Sequence, residues 1–293
     1  MFEDVRQQLK LLGLPESDLM DLPSSNKKFS DGADFRIEIP TVNLVAAMES
    51  VISESIKLGI KINRITETYG IFRHTVSEIK KMIAICQSAD CELMMSTGPR
   101  AAYDTSATYA SPQGKTIAYR LRGQEQLIRA IEDIRRGIDL GVRSFLIYDE
   151  GLLSVLNQFR KNNFIPADIK FKISAHCGHG NPASLQLIEN LGANSINVVR
   201  DLHLSMLAAI RQAIHIPIDC HTDNPPSSGG FIRVYEAPEM IRVAAPVYLK
   251  TGNSVIASHG SQTTEKDGLK MARQAAIVLE MVQKYFPQAK QSI

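Results

Sequence analysis

Hydrophobic and polar positions alternate in short runs along this chain, and each run is followed by a stretch with helical spacing. Phe35-Arg-Ile-Glu-Ile39 reads as a first strand, and Asn43 to Leu58 as the helix after it. Ile62–Thr68 and Ser77–Ala89 repeat the unit, and Glu92–Ser96 is a third strand with a long connection from Thr97 to Gln124. A strong helix then ends near Gly141. Arg143–Tyr148, Ile169–Ala175, Ser195–Val199, Ile216–Cys220 and Val247–Lys250 give strands four to eight. Helices begin near Leu152, Pro182, Leu202 and Pro238, and a last one runs from about Glu265 to Tyr285.

Eight such units favour an α/β architecture closed into a single (β/α)8 TIM barrel, because closure leaves no exposed sheet edge. An open doubly wound sheet is the alternative, but no GxGxxG follows the first strand. Residues 1–30 read as an N-terminal extension and 31–293 as the barrel domain with its C-terminal helix. In the extension, Phe2–Leu14 has amphipathic spacing and Pro23-Ser-Ser25 reads as a flexible connection. The expected roles are to cover the barrel floor or to join an oligomer interface, with a partly disordered tail as the alternative. Met48, Met82 and Met206 read as packing residues.

Composition narrows the partners. With a formal net charge of +2, the chain offers no broad basic face for nucleic acid. An aromatic content of 6% without tryptophan gives no stacking platform. No apolar span is long enough for a transmembrane helix, and no basic-then-apolar leader opens the sequence. Cys86, Cys91, Cys177 and Cys220 form no CxxC pair and read as free thiols of a reducing compartment, so a cytoplasmic location is expected.

The chemistry gathers where strands end, which in such barrels is the reactive face. Arg36, Glu38, Arg64, Glu67 and Tyr148 come from the first half. Lys172 and His176, four residues apart, share the inward side of a regular strand. Asp219, His221 and Asp223 alternate on the seventh strand; with His176 they form a candidate divalent-metal set, the alternatives being loop bracing or substrate hydrogen bonding. Cys177 beside its histidines is a weaker nucleophile candidate, because adjacent strand residues point apart. Ser227, Ser228, Gly229 and Gly230 offer backbone amides to a phosphate or carboxylate, or else a plain mobile turn. Arg36, Arg64 and Arg100 are the other substrate anchors.

Lys250 is the foremost single candidate. Burial beside a second cation such as Lys172 lowers an amine's pKa and makes it nucleophilic, with Glu38 or Tyr148 moving protons. The alternatives are a permanent Glu38 ion pair or ammonium binding of substrate. The expected catalytic set is therefore Glu38, Glu67, Tyr148, Lys172, His176, Asp219, His221 and Lys250. Either a divalent metal or a cofactor-independent lysine mechanism serves it.

Locally, Lys250-Thr-Gly252 is similar to the reactive-lysine segment of deoxyribose-phosphate aldolases. Over more of the chain the sequence resembles small peptidase U32-like TIM-barrel proteins. The resemblance lies in Ile147-Tyr-Asp-Glu-Gly151, Lys172-Ile-Ser-Ala-His-Cys-Gly-His-Gly-Asn-Pro182, Ser195-Ile-Asn-Val-Val-Arg-Asp201 and Asp219-Cys-His-Thr-Asp-Asn-Pro-Pro-Ser-Ser-Gly-Gly-Phe231. It implies the barrel; the peptidase signature and its downstream cysteine cluster are not evident. The expected function is a metabolic enzyme for a small phosphorylated or carboxylated, oxygen-rich substrate, working by lyase or isomerase chemistry. A U32-like peptidase and a non-catalytic metabolite-binding barrel are the alternatives, and a homo-oligomer is compatible with all three.

Overall fold

The computed structural model describes residues 2–11, 21–98, 111–112, 114, 119–258 and 260–293. Eight parallel strands close in sequence order: β1 Phe35–Pro40, β2 Arg64–Glu67, β3 Glu92–Ser96, β4 Ser144–Ile147, β5 Lys170–Ile173, β6 Ser195–Asn197, β7 Ile218–His221 and β8 Val247–Lys250. The chain is thus a (β/α)8 barrel, with β8 pairing back onto β1 through Glu38 and Lys250. Around it lie α2 Val45–Lys57, α3 Val76–Ser88, α4 Gly123–Leu140, α5 Glu150–Lys161, α6 Pro182–Asn190, α7 Leu204–Ala213, α8 Ala237–Ala244 and α9 Glu265–Tyr285, while α1 is Glu3–Leu11. Among the described residues no helix is long and apolar enough to cross a membrane.

Local chemistry sets the helix ends. Thr75, Asn181 and Thr264 each accept a backbone N–H three residues on, in reciprocal capping boxes. Asp149 caps α5 through Leu152 N at 3.0 Å. Gly141 ends α4 at φ 106°, a left-handed position that suits glycine.

The strand alternation has an unusual distribution of polarity. Ile37, Ile39, Ile65, Phe145, Phe171, Ile173, Ile218 and Leu249 face outward and pack with the helices into one large apolar core. Most of the inward positions are polar or aromatic: Glu38, Arg64, Thr66, Lys172, Asp219, Tyr248 and Lys250, all buried. Most hydrophobic stabilisation therefore lies between wall and helices, each fully buried large side chain contributing roughly 1.5–3 kcal/mol. Met94, Leu146 and Tyr148 form a small apolar cluster apart from the main core.

The floor of the barrel is closed. Phe29 meets Tyr248 edge-on, with ring centroids 5.3 Å apart, and the Arg36 guanidinium lies 4.2 Å over the Phe29 ring. The segment expected as a flexible connection is tied down: Ser25 N donates to Arg242 O at 2.7 Å, and Lys27 Nζ to Ile214 O at 2.6 Å. Phe29, from the expected extension, thus lies at the floor of the barrel.

Helix α9 approaches α2 through Gly268, where an added Cβ would lie 2.5 Å from Ala47 O. Gly268→Ala is therefore expected to lower stability by about 1–3 kcal/mol in urea unfolding, overpacking outweighing the gain in helix propensity of about 1 kcal/mol. An increase in stability would mean that the two helices are not held this close.

Candidate functional site

Glu38 sits inside the barrel because residues of even number on β1 face inward. Both its carboxylate oxygens accept from Lys172 Nζ, at 2.7 and 2.6 Å. Thr66 Oγ1 donates to it at 2.8 Å, while Arg64 Nη1 and Lys250 Nζ lie at 3.2 and 3.1 Å. Lys172 also donates to Asp219 Oδ2 at 2.6 Å. Arg64 turns its Nε to Glu92 at 2.7 Å, and its guanidinium stacks 3.5 Å from the Tyr248 ring. The barrel axis is filled by one connected network of charges.

These groups are almost wholly removed from water: Glu38, Lys172 and Asp219 are 0% exposed. Burial acts to raise the Glu38 pKa, but Lys172, Lys250 and Arg64 together hold it well below the ordinary carboxylate range. Asp219 shares the same lysine yet goes the other way. Burial, aided by the Glu38 charge, raises it to about 6 against the pull of Lys172. Glu38, with the closer set of cations, is the ionised member, and Asp219 the one that takes a proton. Burial lowers Lys250 to about 8, the Lys172 charge adding to this while Glu38 opposes it.

Above the network lies the mouth. His221 pairs in register with Lys250 across β7 and β8. It is buried, and neither ring nitrogen has a partner. Burial, with the Lys250 and Arg200 charges, keeps the imidazole well below its usual range, so it is neutral at pH 7. Asp219 Oδ1 is likewise buried without a partner.

After β5 the chain turns at Ala175–Cys177, and Ser174 Oγ caps the turn by accepting from His176 N. The His176 ring stacks on Tyr119 at 4.0 Å, and Tyr119 on Tyr148 at 4.9 Å. Arg200 Nη2 donates to His176 Nε2 at 3.1 Å, so that nitrogen carries no proton. The Tyr148 hydroxyl is 2.8 Å from Ser96 Oγ.

Glu38, Lys172, Asp219, His221 and Lys250 are thus gathered, with His176 and Tyr148 at the mouth. Several expected residues lie elsewhere. Glu67 is one position out of phase and faces away from the axis. Its carboxylate accepts the Tyr69 and Gly70 amides and lies 3.2 Å from His74 Nε2, which makes it a brace for the β2 exit. Arg36 is at the floor, bound to Asp31, Ser292 and Tyr248. Arg64 is spent inside the network, and Arg100 lies outside the described residues.

Nor does the Ser227–Gly230 turn present a free row of amides. Ser228 N and Gly230 N donate to Pro225 O at 2.9 and 3.0 Å, and Gly229 N to Pro226 O. Ser227 is exposed at the turn's outer side.

The expected metal set His176, Asp219, His221 and Asp223 is not assembled. Asp223 accepts Gly252 N at 2.9 Å and Ser254 N at 2.6 Å, tying the β7 and β8 exits together. Asp219 is engaged by Lys172. Among the described residues the only ligand-type group within mutual reach is Glu150, Cys177 and His179. There Arg120 already pairs with Glu150, and burial pushes the Cys177 thiol up to about 12, which suits neither a nucleophile nor a ready ligand.

Arg200 went unrecognised in the sequence. It follows β6 at the reactive rim, in the same position relative to its strand as the residues that were singled out.

No family model matches the chain, and no curated protein matches it. Among solved structures it is similar to a candidate fructose-1,6-biphosphate aldolase from Coccidioides immitis, with TM-score 0.51 and 15% identity over 87% of this chain and 92% of that one. A truncated 3-deoxy-D-arabino-heptulosonate 7-phosphate synthase from Thermotoga maritima gives TM-score 0.48 and 14% identity over 94% of each chain. A U32 peptidase gives 0.40 and 15% over 68% of this chain and 73% of that one. The first likeness bears on the fold alone.

Asp219 yields a stability test. Its folded pKa of about 6 lies above the ordinary aspartate value, so its contribution is fully present below that ordinary value and is lost as pH rises through about 6. Wild type should therefore gain stability relative to Asp219→Asn, by about 1–3 kcal/mol, between pH of about 7 and about 4. Urea unfolding of both proteins across that range measures it; a relative loss on acidification would show that Asp219 is held as an anion.

Proposed function

We propose that this barrel is a metabolic enzyme for a small, anionic, oxygen-rich carbonyl compound, working by lyase or isomerase chemistry through an imine on Lys250. One observation carries the reading. The Lys250 amine is buried at the reactive end of the barrel, and burial and the Lys172 charge bring it to about 8, where a useful fraction is uncharged near neutral pH.

The unprotonated Lys250 amine attacks the substrate carbonyl carbon, and a C–N bond forms. Proton transfers then let the carbonyl oxygen leave as water. Glu38 is too firmly ionised to supply them and serves to balance the cationic imine. Asp219, near 6, is the proton carrier at hand, and neutral His221 is the second. The protonated imine then draws electrons from an adjacent bond. In a lyase, a C–C bond breaks and its electron pair moves through the enamine to nitrogen, while the departing hydroxyl gives its proton to the base. In an isomerase, the base removes a proton from the neighbouring carbon instead.

A peptidase reading has less support, since burial pushes the Cys177 thiol up to about 12, which suits it poorly to nucleophilic work.

Borohydride reduction in the presence of carbonyl compounds should give a stable adduct on Lys250, located by peptide mass spectrometry and absent in Lys250→Ala. The trapping rate should rise with pH and level off above about 8. Lys172→Met should move that inflection upward, because a cation that lowers the Lys250 pKa is gone and Glu38 is left to Lys250. This variant is also expected to lose about 3–5 kcal/mol of stability from uncompensated buried charge, read by thermal unfolding. A panel of aldehydes, ketones and 2-oxo acids that gives no adduct would reject the imine reading.

A further inference from the structure

The mouth holds a cation that none of the internal acids satisfies. Arg64, Lys172 and Lys250 all have carboxylate partners within the barrel. Arg200 has none among the described residues: its Nη2 meets only His176, and its Nε is buried without any partner. A buried guanidinium nitrogen left dry and unpaired is costly, and proteins keep such an arrangement where an anion arrives to complete it.

His221 gives a second, independent sign. It is 4% exposed, and both ring nitrogens are unpartnered. Arg200 and His221 also approach one another across a small gap of about 10 Å³, lined besides by Val198, Leu207, Cys220 and an Arg233 that is already paired with Glu236; the gap marks where the two side chains converge and is not itself the ligand space. Buried imidazole nitrogens normally have hydrogen-bond partners, so this ring is set to meet a group that the folded chain does not supply.

We propose that Arg200 and His221 form the carboxylate subsite of the active centre, and that the substrate is a 2-oxo acid whose ketone carbon lies at Lys250. This rests on reading Lys250 as the carbonyl-binding amine. The placement argues for a carboxylate joined directly to the carbonyl. His221 and Lys250 are register partners on adjacent strands, so an anion held at His221 lies next to the amine rather than several bonds away. One guanidinium and a neutral imidazole N–H match a planar monoanion, whereas a phosphate dianion calls for more positive charge. The Ser227–Gly230 turn, a candidate site for a phosphate or carboxylate, has its Ser228, Gly229 and Gly230 amides spent on Pro225 and Pro226.

Pyruvate is the probe, with acetone as its neutral counterpart and dihydroxyacetone phosphate as its phosphorylated one. Under cyanoborohydride, wild type should form the Lys250 adduct with pyruvate at a concentration at least about tenfold lower than with acetone. Arg200→Met should lose that preference and still trap acetone; Arg200→Lys should recover only part of it. Equal trapping of pyruvate and acetone by wild type, an Arg200→Met preference equal to wild type, or a stronger preference for dihydroxyacetone phosphate would each overturn the carboxylate subsite while leaving the imine reading intact. If no carbonyl is trapped, the imine reading fails by itself. The subsite is then judged by pyruvate binding to Lys250→Met in ligand-observed NMR. Binding that disappears in the Lys250→Met, Arg200→Met double variant upholds the subsite, and absence of binding to Lys250→Met overturns it.

Discussion

Everything inside this barrel is arranged around the carboxylate of Glu38. A single buried anion is in contact with Lys172, Lys250 and Arg64, and it is the one carboxylate that all three share. Burying ions is expensive, and pairs of this kind seldom add net stability compared with apolar side chains of equal size. The outward-facing isoleucines and phenylalanines, packed under the helices, hold the fold together instead. This division frees the axis of the barrel from the duty of being a hydrophobic core and lets it store charge.

The stored charge balances only while Asp219 is ionised. Three cations face Glu38, Glu92 and Asp219, and Asp219 is readily protonated. With Arg200 added at the mouth, the site presents an excess of positive charge to whatever enters. Neutral His221 adds a hydrogen-bonding group without adding to that charge. An anionic carbonyl compound would complete the electrostatics and meet the amine in the same event, so binding and activation are served by one set of side chains.

The barrel and most helix limits were legible because alternation and capping are local properties. Gly141, Asn181-Pro182 and Thr264 mark helix ends whatever the rest of the chain does. The inward set Glu38, Lys172, Asp219 and Lys250 could be read from strand phase as well. Depth and hydrogen-bond occupancy could not. Arg36 and Lys250 are both inward residues, yet one lies at the floor and the other at the mouth, which depends on register between distant strands. Glu67 looked equivalent to its neighbours, but a one-residue change of phase turned it outward. The Ser-Ser-Gly-Gly turn has the composition of an anion nest; only three-dimensional placement shows that its amides have already found carbonyls. Arg200 was hidden for the opposite reason, since nothing in a sequence marks an arginine as lacking an acid.

The floor formed by Phe29, Tyr248 and Arg36 makes the barrel a blind well. With that end covered, Lys250 is approached from the strand C-terminal end, where His176, Tyr119 and Arg200 lie among the described residues. When two molecules occupy the well together, the one nearer the rim departs first and the one tethered deeper departs last. A covered base would thus favour an order of arrival and release in any two-component reaction carried out there, with no moving part required to enforce it.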